Sequence, residues 1–183
     1  GKSTLVKAIM GEIDHEGTMQ LGHNALVGYF AQNQASLLDE TLTVFQTIDN
    51  IAQGEVRARI KDILGAFMFE NDTIDKKIKV LSKGERTRLA MIKLLLQPVN
   101  LLILDEPTNH LDIKTKEILK DALKAFDGTL ILVSHDRDFL DGLAKKVFEF
   151  GNQRVKEHFE DISGFLRNKK MENLKEIERT VRA

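Results

Sequence analysis

The sequence has no cysteine, no long apolar run and almost no net charge, and each absence excludes a class of protein. Without cysteine, neither a disulfide framework nor a thiolate metal site is possible. The longest apolar runs, residues 101–104 and 130–133, are far too short to cross a bilayer. A formal net charge of -1 gives no overall attraction to nucleic acid, so such a contact would need a local basic patch. We therefore expect a cytoplasmic globular protein.

What is present is the composition of one α/β domain. Apolar residues make up 42% and charged residues 30% of the 183 residues, which is ordinary for a chain with one hydrophobic core. The apolar runs 101–104 and 129–133 are typical of strands buried on both faces of a parallel sheet. Apolar residues near a 3.6 period predict helices at 3–10, at 114–126 and from Ser82 to the residues before Pro98. This order of elements predicts a mainly parallel sheet with flanking helices.

The remaining segments are assigned from β propensity, turn residues and helical periodicity. Strands are predicted at 18–21 and 25–30 with a Gly22-His23-Asn24 turn between them. The other assignments are a helical region at 41–69 with a break at Gly54, a polar loop at 71–80, a hairpin of 147–150 with 154–159 around Gly151-Asn152, and a charged helix from 163 to the end.

Charged side chains follow each of the two buried strands. In parallel sheets, ligands bind beyond the carboxyl ends of the strands. Asp105 and Glu106 follow the first strand, where an aspartate could hold Mg²⁺ and a glutamate could act as general base on a water molecule. His135 follows the second strand and could reach the same place. Taken alone, the two acids could instead cap the turn before Pro107, and the histidine could be structural.

Three further motifs suit phosphate or metal binding. Gly1-Lys2-Ser3-Thr4 is the closing half of the phosphate-loop pattern G-x-x-x-x-G-K-[ST], although four residues also fit an ordinary helix start. Ser82-Lys83-Gly84-Glu85 fits a capping box at the start of a helix. Gln32 could supply a neutral oxygen to a metal or a water molecule, although alone it is an ordinary loop glutamine.

Five short motifs in order resemble the ATP-binding cassette (ABC) family over essentially the whole chain. They are GKST, YFAQ, LSKGE, LLILDEPTNHLD and SHD. The resemblance implies an ABC-type P-loop NTPase fold, which has a mainly parallel core sheet, a small antiparallel β part and a helical subdomain. It implies a cassette over residues 1–160 with its helical subdomain at about 41–97, followed by a charged C-terminal helix at 161–183.

The resemblance also implies an activity and roles for the motif residues. Two cassettes would close over two molecules of Mg-ATP, and hydrolysis would reopen them. Glu106 and His135 would be catalytic, and residues 109–112 would cross the interface between cassettes. The residues expected to bind ATP or Mg²⁺ are Gly1, Lys2, Ser3, Thr4, Gln32, Ser82, Lys83, Gly84, Glu85 and Asp105, of which Ser3, Gln32 and Asp105 are the expected metal ligands.

The sequence departs from the family pattern in two places. Lys83 stands where the family signature usually has glycine, so the approach to the phosphate held by the opposite cassette could be altered. Because Gly84 remains and Lys83 could add positive charge, we expect the function to be retained. The first half of the phosphate loop does not precede Gly1. We therefore expect these residues alone to be a weak ATPase and the native polypeptide to continue N-terminally.

Within the family, EPTNHLD resembles the ABC-F branch, whose members carry two cassettes on one chain and generally act on the translating ribosome. The compact 32–81 region resembles the second cassette of such a protein. The alternative is the ATP-hydrolysing subunit of a membrane transporter, in which this region would dock on a membrane protein. A DNA-repair cassette would carry long coiled-coil or zinc insertions, so DNA is not expected as a partner.

Two groups of basic residues could contact ribosomal RNA phosphates, or could simply be solvated helix faces. They are Lys76, Lys77, Lys79, Lys83, Arg86 and Arg88 near the signature, and Arg167, Lys169, Lys170, Lys175, Arg179 and Arg182 in the tail.

Overall fold

The computed structural model describes residues 1–31, 33–151 and 154–181, with side chains described as far as residue 171. Within those ranges, eight α-helices and five strands follow one another along the chain. The elements are α1 (Lys2–Ile9), β1 (Val27–Phe30), α2 (Val44–Asp49), α3 (Gly54–Ala58), α4 (Ile60–Ala66), α5 (Lys83–Leu95), β2 (Leu101–Asp105), α6 (Ile113–Lys124), β3 (Thr129–Val133), α7 (Arg137–Leu140), β4 (Val147–Gly151), β5 (Arg154–His158) and α8 (Ile162–Val181).

A three-stranded parallel sheet lies at the centre, in the order β1-β2-β3. Phe30 pairs with Leu104, and Leu104 pairs with Leu132, so the three strands run in register toward one edge. The side chains of Leu102, Ile103 and Leu104 are all 0% exposed, because helices cover both faces of the central strand. The prediction of a parallel α/β sheet is confirmed, and β2 is buried as expected. The prediction that β3 is buried on both faces is wrong, because β3 lies at the edge of the described sheet and only its last residue, Val133, is buried.

Each face of the sheet has its own apolar cluster. On one face, Val6 of α1 packs with Ile103 and Val133. On the other, Leu102 and Leu104 belong to the main core, which includes residues of α5 and α6 such as Leu89. Fully burying a leucine or isoleucine side chain contributes about 1.5–3 kcal/mol of stability. Because successive side chains of β2 point to opposite faces of the sheet, their burial holds helices on both faces. This packing fixes the N-terminus of α1 relative to the ends of β2 and β3.

The small antiparallel part is also present, as a hairpin of β4 and β5 in which Gly151 pairs with Arg154. Asn152, which we expected in its turn, lies outside the described residues. The hairpin contacts α8 through an ion pair of Glu149 with Lys169 and through the His158 ring, which lies edge-on to Phe165 at 4.9 Å.

Two predictions from the sequence are wrong in detail. Residues 18–21 form no strand, since strand hydrogen bonds need a partner and the first paired residue in this region is Val27. The helical region 41–69 forms three short helices, with breaks after Asp49 and at Arg59. The predicted break near Gly54 corresponds to the first of these, since α3 begins at Gly54, whose φ of 54° is a conformation that glycine adopts readily.

Among the described residues, no helix is both long enough and apolar enough to cross a membrane.

Candidate functional site

Two carboxylates lie where the central strand ends. Asp105 is the last residue of β2 and is 3% exposed. Glu106 follows with a φ of 52°, and its backbone N–H donates to the carbonyl of Val133 at 2.7 Å. That bond to β3 holds Glu106 in a left-handed conformation that few non-glycine residues adopt. Its side chain is 11% exposed, so the turn keeps the carboxylate largely out of solvent.

The N-terminus of α1 lies against these carboxylates. Ser3 Oγ donates to Asp105 Oδ1 at 3.2 Å, across 102 positions of sequence. Lys2 Nζ lies 3.5 Å from Nε2 of His135, which follows β3, and the same Nε2 lies 3.6 Å from Glu106 Oε1. The sequence predicted that Asp105, Glu106 and His135 lie at one edge of the sheet; the structure places them there and adds Lys2 and Ser3 of α1. We call Lys2, Ser3, Asp105, Glu106 and His135 the strand-end cluster.

The chemistry of the strand-end cluster suits a phosphate group and a divalent cation. The Ser3 hydroxyl and the Asp105 carboxylate place two hard oxygen donors side by side, which is the ligand type that Mg²⁺ prefers. Lys2 and the N-terminus of the eight-residue helix α1 supply positive charge beside them. These residues therefore fit Mg²⁺ bound to a phosphate, with a carboxylate and an imidazole close by.

Hydrogen bonds of the residues on either side of His135 fix the loop that carries it. The Ser134 hydroxyl accepts the backbone N–H of Asp136 at 3.0 Å. The Asp136 carboxylate accepts the N–H of Phe139 at 3.1 Å and Nζ of Lys116 at 2.6 Å. The Lys116 ammonium, together with the Phe139 N–H, holds the pKa of Asp136 below its usual range, so this carboxylate is charged at neutral pH.

Residues 82–85, which we call the signature start, form the predicted capping box. The N–H of Glu85 donates to Ser82 Oγ at 3.3 Å, and the N–H of Ser82 donates to Glu85 Oε2 at 2.7 Å. The hydrogen bond from Ser82 lowers the pKa of Glu85. Lys83 is exposed at the first position of α5. The capping box orients the first N–H groups of a 13-residue helix, which is a suitable place for an anion.

Contacts with residues 109–112 hold the signature start in place. A Cβ atom added at Gly84 would lie 3.2 Å from the carbonyl oxygen of His110, so the two backbones approach closely. Arg88, one turn into α5, lies 3.3 Å from Asp112 Oδ2 and stacks over the Phe69 ring at 5.4 Å. Asp112 in turn caps α6 by accepting the N–H of Thr115 at 2.9 Å.

The other residues predicted to bind ATP or Mg²⁺ are Gly1, Thr4 and Gln32. Gly1 caps the start of α1 and Thr4 is exposed on it. Gln32 lies outside the described residues. In the described parts of the chain, no hydrogen bond or ion pair joins the signature start to the strand-end cluster.

The predicted basic group near the signature is smaller than the sequence suggested. Arg86 donates to Glu40 Oε1 at 2.5 Å and to the carbonyls of Leu81 and Lys79, and Arg88 is held by Asp112. Both guanidinium groups thus have carboxylate partners in the chain, and Lys76 pairs with Asp72. The other cations of the group are the exposed Lys77, Lys79 and Lys83. In the tail, Lys169 pairs with Glu149, and Lys175, Arg179 and Arg182 lie beyond the described side chains.

Sequence reasoning missed two ion pairs near the site, Arg88 with Asp112 and Lys116 with Asp136. The partners are 24 and 20 positions apart and lie on different elements, so no helical or strand spacing signals them. The N-cap role of Asp112 could have been predicted from the sequence, because aspartate is favoured at an N-cap and accepts the N–H of the residue three positions later, here Thr115.

The sequence of this chain is also similar to those of known proteins. The family model described as ABC transporter matches residues 1–109. ABC transporter F family member 5 of Arabidopsis thaliana is 43% identical over 181 residues, which is 98% of this chain and 26% of that protein. The chain therefore spans about a quarter of the length of that relative.

Solved structures support the fold. The ATP-binding subunit of an ABC transporter superposes with a TM-score of 0.74 at 19% identity, over 87% of this chain and 74% of that one. The archaeal ribosome recycling factor aABCE1, solved with the ribosomal stalk protein aP1, superposes with a TM-score of 0.70 at 24% identity, over 86% of this chain and 31% of that one. With the motif order, the strand-end cluster and the family match in agreement, the chain belongs to the ABC transporter family of ATP-binding cassette domains and is similar to members of its F branch.

Proposed function

We propose that this chain is an ABC-F cassette that binds Mg-ATP, hydrolyses it together with a second cassette, and acts on the ribosome in the cytoplasm. The observation that carries the proposal is the strand-end cluster, in which an ammonium, a hydroxyl, two carboxylates and an imidazole meet within 3.6 Å contacts. The cassette would comprise residues 1–160 with its helical subdomain at about 41–97, followed by a C-terminal helix at 161–183.

Each side chain of the strand-end cluster has a role that its chemistry supports. Lys2 and the α1 N-terminus would bind the β- and γ-phosphates together with Gly1 and Thr4. Ser3, Asp105 and Gln32 would hold Mg²⁺, which supplies charge neutralisation at the phosphates when bound. Glu106 would orient and deprotonate the attacking water, and His135 would contact the γ-phosphate side of the site from a position beside Glu106.

The signature start would serve the opposite active site. Ser82, Gly84 and the N–H groups at the start of α5 form an anion site, and Lys83 and Glu85 border it. Because no polar contact among the described residues links it to the strand-end cluster, this arrangement supports a composite site in which a second cassette supplies the other half. The exposed Lys83 adds a positive charge where the family pattern has glycine.

Ribosome binding is the part of the proposal that concerns the whole protein. It is supported by the likeness to an F-family relative over 98% of this chain. Ribosomal RNA would be contacted by exposed lysines such as Lys77, Lys79 and Lys83. The competing function is that of a transporter subunit bound to a membrane partner.

Sucrose-gradient sedimentation of the full-length protein carrying Glu106→Gln separates these functions. The variant should accumulate with ATP bound, so we expect it to move with ribosomes in cell extract when ATP is present and not when ATP is omitted. Glu117→Gln, the same change on the exposed face of α6, is the matched control and should not accumulate on ribosomes. A variant that stays at the top of the gradient, or that pellets with membranes, would contradict the ribosomal function.

A further inference from the structure

A lysine of α6 reaches the loop that carries His135. Lys116 Nζ lies 2.6 Å from Asp136 Oδ2, and the two side chains are only 33% and 22% exposed. Asp136 directly follows His135 in the chain. We propose that Lys116 is a positioning residue for His135, because it fixes through Asp136 the backbone that holds the imidazole beside Glu106 and Lys2. The inference rests on the proposed function for its catalytic consequence, and on the loop geometry for its placement.

The imidazole is held weakly by its own contacts. Its side chain is 79% exposed, and its polar neighbours in the described structure are Lys2 at 3.5 Å and Glu106 at 3.6 Å. Strong hydrogen bonds of this type are about 2.7–3.0 Å long, so these two contacts do not fix the ring in the isolated chain. The position of His135 therefore depends on the backbone on either side of it.

That backbone is anchored mainly through Asp136. One oxygen of its carboxylate accepts the N–H of Phe139 at 3.1 Å, and the other accepts the Lys116 ammonium. Phe139 is 3% exposed and packs in the main core, so it gives the loop a fixed end. Lys120, one turn further along α6, donates to the carbonyl of Asp138 at 2.6 Å. Two lysines on one face of α6 thus hold the segment that follows the histidine.

A charge-assisted bond of this kind is worth more than an exposed ion pair. Lys116 and Asp136 are both partly buried and make a short contact, whereas Lys124 and Asp121 on the same helix are 3.9 Å apart and 51% and 79% exposed. In the described structure no hydrogen bond or ion pair joins the second pair to residues 134–140, so it provides a matched comparison within one helix.

Steady-state ATP hydrolysis by the full-length protein tests the catalytic consequence. Lys116→Met should lower kcat about tenfold with an unchanged KM for ATP, since a displacement of 1 Å can cost about a hundredfold in rate and Lys116 pairs with Asp136 outside the strand-end cluster. Lys116→Arg, which keeps the charge, should retain most of the activity, and Lys124→Met should behave like the wild type. Lys116→Met combined with Asp136→Asn should be no slower than the slower single variant, because both remove one interaction. Wild-type kcat in Lys116→Met, an arginine variant as slow as the methionine variant, or additive losses would each overturn the inference.

Hydrogen–deuterium exchange without nucleotide tests the placement independently of hydrolysis. Amides of residues 134–140 should exchange faster in Lys116→Met and unchanged in Lys124→Met. If exchange rises but the wild type hydrolyses no ATP, the placement is supported and the proposed function fails. If the wild type is active and Lys116→Met changes neither exchange nor kcat, the inference fails and the proposed function stands.

Discussion

The strand-end cluster and the signature start are built by the chain in opposite ways. The cluster joins residues as far apart as Lys2 and His135, separated by 133 positions, and depends on β2 and β3 lying in register. The signature start is completed by two hydrogen bonds between Ser82 and Glu85, three positions apart. A shift of any element that carries the strand-end cluster can therefore disrupt the cluster. The signature start can be disrupted only by changes in its own residues or in the residues that contact them.

The two regions are nevertheless linked through the first turn of α6 and the loop before it. Gly84 leaves little room for a side chain beside the carbonyl of His110, and Arg88 pairs with Asp112 at the N-cap of α6. One turn later, Lys116 pairs with Asp136 beside the histidine. The following variants test whether the two regions are separable, beginning with the largest expected effect.

Glu106→Gln should abolish nearly all hydrolysis by acting on the strand-end cluster alone. A positioned general base contributes about 10²–10⁴-fold in rate, and glutamine keeps the size of the side chain without its basicity. We expect that loss in phosphate release, with ATP binding and the unfolding transition unchanged. Glu117→Gln is again the control. Near-normal turnover would remove Glu106 from the mechanism.

Gly84→Ala should disturb the contact between the signature start and the loop at His110. The added methyl would lie 3.2 Å from a backbone oxygen, so one of the two must move by a few tenths of an ångström. We expect turnover to fall by roughly 3- to 10-fold, by the sensitivity of catalysis to small displacements. Gly65→Ala in α4, where the new methyl meets nothing within 4 Å, is the control and should raise thermal stability slightly with full activity. Equal activity in the two variants would show that this close approach is unimportant.

Ser82→Ala and Thr43→Ala remove the same capping box from two helices. Thr43 and Gln46 repeat at α2 the hydrogen bonds that Ser82 and Glu85 make at α5. Each substitution should lower the free energy of unfolding by about 1 kcal/mol, as measured by denaturant titration. Only Ser82→Ala should also lower ATP turnover. If Thr43→Ala slows turnover as much, the cap at α5 acts through stability and has no separate role in the site.

The smallest expected effect is on the pH dependence of stability. Glu85 has a lowered pKa in the folded state, mainly because Ser82 hydrogen-bonds to it. The stability that it contributes is therefore present above the unfolded pKa of about 4.3 and is lost as the pH falls through the lower folded value. Unfolding measured between pH 7 and pH 3 should show a smaller acid loss in Glu85→Gln than in the wild type. An identical pH profile would contradict this contribution.

The sequence predicted best what depends on local signals. Ser82 and Glu85 form the expected capping box, and both apolar runs are strands. β3 has the expected bounds, and β2 extends one residue further than expected, to Asp105. The convergence of Asp105 and His135 also followed from sequence, because the carboxyl ends of neighbouring parallel strands must share an edge.

The remainder depends on contacts that no short segment encodes. Residues 18–21 have strand-forming composition, but no strand in the described structure pairs with them. Arg86 and Arg88 look like a phosphate-binding patch in sequence, yet Glu40 and Asp112 neutralise them from 46 and 24 positions away. Ion pairs across the fold are set by packing, which a single sequence does not reveal.

The left-handed backbone at Glu106 and His110 has a consequence for protein engineering. Glycine is the residue best suited to such conformations, so a directed-evolution screen that rewards heat resistance alone would tend to enrich glycine at both positions. At residue 106 that enrichment would delete a carboxylate while yielding a protein that expresses and melts well. Thermostabilised variants of this domain should therefore be chosen with these two positions held fixed.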